Sequence, residues 1–438
     1  MRTSNLFLLF SGTLISFWFF ICLYYFNSFK LDGFTSQGQD DYSIQNYFNN
    51  QVESLFQRID LVKNETSDIV KRLKGLKRVH SSTSDKVTLM HSWSNVIPIL
   101  LFACNRVSVS RSINLLLKYR KNVNKFPIIV SQDCGHEATA NTIKEYGDAL
   151  TFIKQPDQSE IQNIPKKEAK FKGYFKIARH YGWALNFTFN EYKADQVIIV
   201  EDDLEISPDF FEYFEATLPI LRSDPTLWCV SAWNDNGKEK IIDKTKPNLL
   251  YRTDFFGGLG WMITRDLWTK ELMMKWPRSY WDDWMRHPDQ RKGRSCIRPE
   301  ISRTKTFGKI GVSNGLFFDK HLKYIQLNLD FVPFTRRDMK GLLKSNYDKT
   351  LAETIDLSPI LDIMDIKNRI DFLNKKSVRV LYKTKNDFKR IAKVLGIMDD
   401  FKSGVPRMAY KGIVSTIFEG VRVYVTPHSN WKGYDTTW

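Results

Sequence analysis

No Gly-x-Gly-x-x-Gly follows the first apolar strand of this 438-residue chain, and no Gly-x-x-x-x-Gly-Lys-Ser/Thr loop occurs anywhere in it. Both absences argue against the glycine-cradled phosphate sites of dinucleotide-binding and P-loop folds. Cysteines number only five, with no Cys-x-x-Cys pair, so a cysteine-ligated metal centre has no support. A block of like charge is also missing. The formal charge of +16 is spread along the chain, which fits solubility and attraction for anionic ligands rather than nucleic-acid binding. What the chain has is apolar and aromatic surface, at 42% hydrophobic and 14% Phe, Trp and Tyr. That is ample for a large core in a chain long enough for two domains.

Leu6–Phe26 contains no charged residue and places Trp18, Tyr24 and Tyr25 like interfacial anchors. It is long enough to cross a bilayer. The run exceeds a signal-peptide core and no small-x-small cleavage site follows it, so we read it as an uncleaved signal anchor. Residues 1–5 then form a short cytoplasmic tail, and the rest faces a lumen. Asn64-Glu-Thr and Asn186-Phe-Thr are N-glycosylation sequons. With Cys22 in the span, Cys104, Cys134, Cys229 and Cys296 remain, an even set that in an oxidising lumen predicts two disulfides with three possible pairings. Between the span and residue 92 lies a stem. Its apolar seam, Phe48, Val52, Leu55, Ile59, Val62, Ile69, Leu73 and Leu76, advances in steps of four and three with a polar break at Thr66. This predicts a coiled-coil-like helix able to self-associate, followed by a linker over 80–92.

From residue 96 onward, apolar strands alternate with helical patterns, the signature of an α/β fold around a mostly parallel sheet. Strands are expected at Val96–Ala103, Phe126–Ser131, Leu150–Ile153, Val197–Val200 and Trp228–Ala232, with helices over 107–120, 137–147, 174–189 and 208–222. Val197–Val200 runs directly into Glu201-Asp202-Asp203. A strand buried on both faces delivers such carboxylates to the carboxyl edge of the sheet, where open α/β sheets bind ligands. Three crowded acids repel one another unless a cation joins them, and an oxygen-only set suits Mg²⁺ or Mn²⁺ held by one or two carboxylates plus substrate phosphate. Asn105 and Arg106 follow the first strand, and Gln132 and Asp133 the second. Polar clusters at three strand ends predict a nucleoside diphosphate site. Further on, Phe255-Phe-Gly-Gly-Leu-Gly-Trp261 and Tyr280-Trp281-Asp282-Asp283-Trp284 set aromatic faces beside acids, the kind of surface that holds sugars.

These segments together resemble the alpha-1,3-mannosyl-glycoprotein 2-beta-N-acetylglucosaminyltransferases, the N-acetylglucosaminyltransferase I family. The matching residues are SQDCGHE at 131–137, YFKIARHY at 174–181, VEDDLEISPDFFEYF at 200–214, LWCVSAWNDNGKE at 227–239 and YRTDFFGGLGW at 251–261. WDDWMR at 281–286, RPEISRT at 298–304, LGIMDDFKSGVPRMAYKGIV at 395–414 and KGYDTTW at 432–438 extend the match. The resemblance implies a GT-A type α/β catalytic domain over 93–330, a smaller C-terminal domain over 331–438, and a single-pass type II protein of the Golgi membrane. It implies inverting transfer of GlcNAc from UDP-GlcNAc to the 2-hydroxyl of the α1,3-linked mannose of a high-mannose N-glycan. By the same resemblance Asp203 is the Mn²⁺ ligand, and Glu201 and Asp202 hold ribose or donor sugar. Asp133 reads uracil, Arg106 and His180 line the nucleotide, and Ser313 lies in a Gly-flanked lid. Trp281 belongs with the sugar-facing aromatics. Asp282 is the expected catalytic base, with Asp283 its rival, and the disulfides become Cys104–Cys134 and Cys229–Cys296. Gly257 replaces a proline of the family pattern and Asn105 an acid. Transfer to O-linked mannose on protein is the related alternative, and a catalytically silent Golgi glycan-binding protein the alternative from another class.

Overall fold

The computed structural model describes residues 95–309, 311 and 315–438. The expected span Leu6–Phe26, the heptad seam, Asn64 and Ser313 lie outside them. No helix among the described residues is long and apolar enough to cross a membrane. Residues 92–438 make up one compact unit.

Its centre is an eight-stranded sheet ordered β3-β2-β1-β4-β8-β6-β9-β7. In chain order the strands are β1 (Ile99–Ala103), β2 (Ile128–Gln132), β3 (Thr151–Lys154), β4 (Gln196–Glu201), β6 (Leu227–Ser231), β7 (Leu250–Thr253), β8 (Trp261–Thr264) and β9 (Ser295–Pro299). The short pair β5 (Leu204–Ile206) and β10 (Thr304–Thr306) forms a separate antiparallel ribbon. β3, β2, β1 and β4 are mutually parallel. Beyond β4 the expectation of a mostly parallel sheet gives way to a mixed one, because β8 runs antiparallel to both β4 and β6, and β7 antiparallel to β9.

Alternation of side chains along each central strand explains the layering. Ile99, Leu101 and Ala103 of β1 and Ile198 and Val200 of β4 enter one apolar cluster, with Val109, Ile113 and Leu116 of helix α1 (Val109–Tyr119) and Phe210 and Phe214 of α4 (Phe210–Ser223). Leu100, Phe102, Val197 and Ile199 enter the opposite one, with Ala178, Tyr181, Ala184 and Leu185 of α3 (Lys172–Asn186). Helix α2 (Glu137–Lys144) follows β2. A strand buried on both faces therefore ends at Glu201, as its apolar run requires. Cys104–Cys134 joins the ends of β1 and β2, and Cys229–Cys296 joins β6 to β9.

The C-terminal part has its own core around β11 (Ser377–Tyr382), β14 (Val414–Phe418) and β15 (Val421–Pro427). Helix α6 (Lys385–Leu395) starts at a Thr384/Asp387 capping box and buries Phe388, Ile391, Ala392 and Leu395 at helical spacing. This part is interlocked with the large sheet. The Asp254 amide donates to the Ala409 carbonyl at 2.7 Å, and Arg422 pairs with buried Glu300 at 2.8 Å.

Candidate functional site

Strand register decides which sequence-predicted residues meet. Phe102 pairs with Glu201 and Ala103 with Gln132, so Arg106, Asp133 and Glu201-Asp202-Asp203 emerge side by side at one sheet edge. Antiparallel β8 brings Trp261 opposite Ile199, which returns the Phe255–Gly260 loop to the same edge. The chain at Asp202 is held from below by Ser112 of α1, whose hydroxyl lies 3.1 Å from the Asp202 carbonyl and 2.8 Å from that of Leu204.

The three acids are unequal. Arg106 Nη1 lies 2.7 Å from Asp202 Oδ1 and 3.0 Å from Asp203 Oδ2, and the Cys104 amide donates to Asp202 Oδ2 at 3.3 Å. Glu201 instead accepts from the Tyr181 hydroxyl at 2.7 Å. Burial, reinforced by the charges of Asp203 and Asp202, pushes the Glu201 carboxyl up to about 8. Burial raises Asp202 to about 6 against the pull of Arg106, and raises Asp203 as well. The cluster thus holds more negative charge than one guanidinium offsets. A hard divalent cation with oxygen ligands fits that excess. Among the described residues no three His, Cys, Asp or Glu side chains converge as a cage, so the fit is to one carboxylate completed by ligand oxygens. Gly308 packs on Asp203 so closely that a Cβ there would lie 2.1 Å from Oδ2, which leaves room for the carboxylate only because residue 308 has no side chain.

Asp133 is buried at the end of β2, and its Oδ1 accepts from Gln158 Nε2 at 3.1 Å. His180 is also buried. Its Nε2 pairs with Ser131 Oγ at 2.7 Å, and its ring meets Phe102 edge-on at 4.9 Å. Burial drives this imidazole down to about 4, although Asp133 pulls the other way. A histidine held below its ordinary value stabilises the fold above pH 6.5 and loses that contribution as the pH falls toward 4, because only the unfolded chain takes the proton. Between pH 7 and pH 5 His180→Gln should therefore lose about 2 kcal/mol less stability than the parent. Urea unfolding at both pH values measures this, and identical losses would refute a neutral buried His180.

Trp281 and Asp282 begin the short helix α5 (Trp281–Arg286), whose N-cap Tyr280 has φ 48°. Trp281 is 6% exposed. Its ring stacks on Tyr181 at 4.3 Å and Trp261 at 5.5 Å, while Tyr181 stacks on Phe102 at 3.8 Å. This aromatic column joins helix α5 to the acid cluster. Truncating so buried an indole costs about 3–5 kcal/mol, so a Trp281→Ala variant reports the fold before any sugar contact.

Asp282 and Asp283 do not diverge as adjacent helical residues would. Both reach Arg286 Nη1, at 2.7 and 2.8 Å. Arg286 is itself fixed, with Nε donating to the Phe256 carbonyl at 3.1 Å and its guanidinium over the Phe255 ring at 5.1 Å. Asp283 has a second cation, Lys402 Nζ at 3.0 Å. Burial opposes its charge, but Arg286 and Lys402 outweigh that and hold the carboxyl below its ordinary range. The side chains of Asp282 and Asp283 are about equally exposed, at 42% and 44%, but Asp282 has only the Arg286 ion pair among the described residues. It is the more available acid.

Sequence reasoning missed Tyr181, Gly308 and Arg286. Arg286 stands four residues after Asp282, a helical ion-pair spacing that could have pointed to it; Gly308 carries no local signal. Asn186, read as a glycosylation acceptor, lies at the end of α3, and its Oδ1 accepts from Asn190 at 2.6 Å. Thr188 of the same triplet is buried with its hydroxyl on the Ala184 carbonyl at 2.8 Å. The triplet is helical rather than an open loop.

The sequence model of the GNT-I family matches residues 11–438. An alpha-1,3-mannosyl-glycoprotein 2-beta-N-acetylglucosaminyltransferase of Arabidopsis thaliana is 37% identical over 355 residues, covering 81% of this chain and 78% of the relative. Among solved structures, S. aureus TarS 1-349 in complex with UDP-GlcNAc is 11% identical with a TM-score of 0.33, covering 64% of this chain and 72% of that one. The mannosyltransferase PcManGT from Pyrobaculum calidifontis, in complex with GDP-Man and Mn²⁺, is 15% identical with a TM-score of 0.26, covering 42% and 50%. These two structural likenesses are too slight to bear on the reaction.

Proposed function

Because this chain belongs to the GNT-I family, we propose that it transfers GlcNAc from UDP-GlcNAc to the 2-hydroxyl of the α1,3-linked mannose of a high-mannose N-glycan, with inversion, on a GT-A type catalytic fold. The observation that carries the reading is one juxtaposition. The acid cluster at the end of β4 and the available carboxylate of Asp282 are joined by the Phe102–Tyr181–Trp281 stack, so a donor and an acceptor half share one sheet edge.

In this reading Asp133 accepts from the uracil ring in its buried pocket. Arg106, now spread over Asp202 and Asp203, turns toward the diphosphate, and His180 keeps the nucleotide wall neutral through Ser131. Glu201 and Asp202 accept from ribose or donor-sugar hydroxyls. Asp203 would hold a divalent cation such as Mn²⁺, whose chemistry there is to neutralise charge on the departing diphosphate. Asp282 takes the proton of the mannose 2-hydroxyl, the oxygen bonds to C1 of GlcNAc, and the bond from C1 to the phosphate oxygen breaks on the opposite face. Arg286 stabilises Asp282 in place. Residues 6–26 anchor the enzyme in the Golgi membrane with the catalytic part in the lumen, and the stem associates with a second copy.

Residues 92–438, incubated with UDP-GlcNAc, Mn²⁺ and either a five-mannose N-glycan or an O-mannosyl peptide, should give product on the glycan. Product on the peptide alone would overturn the acceptor assignment.

A further inference from the structure

We propose that the C-terminal part carries a second carbohydrate site, which holds a mannose of the acceptor glycan other than the one that receives GlcNAc. The proposal rests on the transfer reading for its ligand but on a separate cavity for its site. Beyond β15 the chain from His428 to Trp438 folds back over the turn between β12 (Phe401–Lys402) and β13 (Val405–Pro406). The crossing is close, since a Cβ on Gly404, at φ +79°, would lie 2.2 Å from the Asp435 carbonyl oxygen. Between them opens a cavity of about 240 Å³, lined among others by Phe401, His428, Asn430, Trp431, Tyr434 and Trp438.

The lining has the chemistry of a sugar site. Trp431 meets Tyr434 edge-on at 5.2 Å, and Phe401 meets Trp438 edge-on at 5.6 Å, so four rings wall the cavity with apolar surface of the kind that takes the C–H face of a pyranose. Tyr434 is fixed by its hydroxyl, which donates to Asp254 Oδ2 at 2.7 Å and accepts from the Gly412 amide at 2.8 Å. At the mouth, His428 Nδ1 and Asn430 Oδ1 lie 3.1 Å apart, a polar pair suited to hydroxyl groups. Asp435 accepts from the amide and hydroxyl of Thr437 at 2.9 and 2.6 Å, so its carboxylate is occupied locally. The volume lies below the roughly 300 Å³ at which clefts for drug-sized ligands begin, which suits a single sugar ring and not a nucleotide.

The cavity also has a direct connection to the base helix. Phe401 lines it, and the next residue, Lys402, pairs with Asp283 beside Asp282. A branched acceptor seated at Asp282 has this wall as its neighbour, whereas a single mannose does not need it.

Binding of a five-mannose glycan and of methyl α-mannoside, each followed by ligand-observed NMR with UDP and Mn²⁺ present so that no transfer occurs, tests the site. Trp431→Ala should weaken the glycan about tenfold, as truncated aromatic anchors do, and leave methyl α-mannoside unchanged. Trp431 packs on Gly412, so the exposed-rim variant His428→Ala/Asn430→Ala serves beside it and should weaken the glycan several-fold at unchanged Tm. Glycan affinity within twofold of wild type in both variants, equal weakening of both ligands, or a wild type that does not prefer the glycan would each overturn the proposal. A wild type whose glycan binding depends on Trp431 but which transfers nothing would sink the transfer reading and leave this site standing.

Discussion

Asp282→Asn should lower kcat by about 10²- to 10⁴-fold, the usual contribution of a positioned general base, while UDP-GlcNAc binds with its wild-type affinity. The substitution is nearly isosteric, and the Asn oxygen still accepts from Arg286 Nη1, 2.7 Å from Asp282 Oδ2 in the parent. The loss is therefore one of basicity and not of geometry. Asp283→Asn is the matched control. Its carboxylate is already committed to Arg286 and Lys402, so its removal should perturb kcat far less. Steady-state kinetics with donor binding measured in parallel separates the two. Near-normal turnover by Asp282→Asn, or a larger defect in Asp283→Asn, would move the base assignment away from Asp282.

Asp203→Ala should abolish the metal-dependent part of donor binding. Even outer-shell partners of metal ligands are worth about 10- to 100-fold in metal affinity or activity, so removal of the one proposed protein ligand should cost at least as much. The fold should survive the change. Burial raises Asp203, and burial with the charges of Asp203 and Asp202 raises Glu201, so deleting the Asp203 charge relieves the cluster and leaves Arg106 with Asp202. Calorimetric titration of UDP-GlcNAc with Mn²⁺ and with EDTA reads the effect. Wild type should weaken markedly in EDTA and Asp203→Ala should not change; a wild type indifferent to EDTA would remove the metal role altogether.

Much of this site was legible in the chain because its parts stand at strand ends. An apolar run of four residues followed by three acids delivers the acids to the end of the strand, where the fold buries Asp202 and partly buries Glu201 and Asp203, and the strand-helix alternation from residue 96 predicts that such ends share an edge. The order of strands on the far side of β4 was not legible, since side-chain alternation has the same period in parallel and antiparallel pairs. The shared contact of Asp282 and Asp283 was not legible either. Helical spacing directs the two side chains apart, but a long arginine one turn later draws both carboxylates to a single nitrogen.

By itself the sequence determined the acid-ended buried strand, the helix bearing paired acids between indoles, and the pool of four cysteines, all properties of local pattern and residue chemistry. Only the tertiary structure decided that β8 returns the aromatic loop beside Glu201, that Tyr181 stacks between Phe102 and Trp281, and that Gly308 leaves room for the Asp203 carboxylate. Those contacts join residues more than 50 positions apart. They follow from strand order and close packing, which short-range periodicity does not encode.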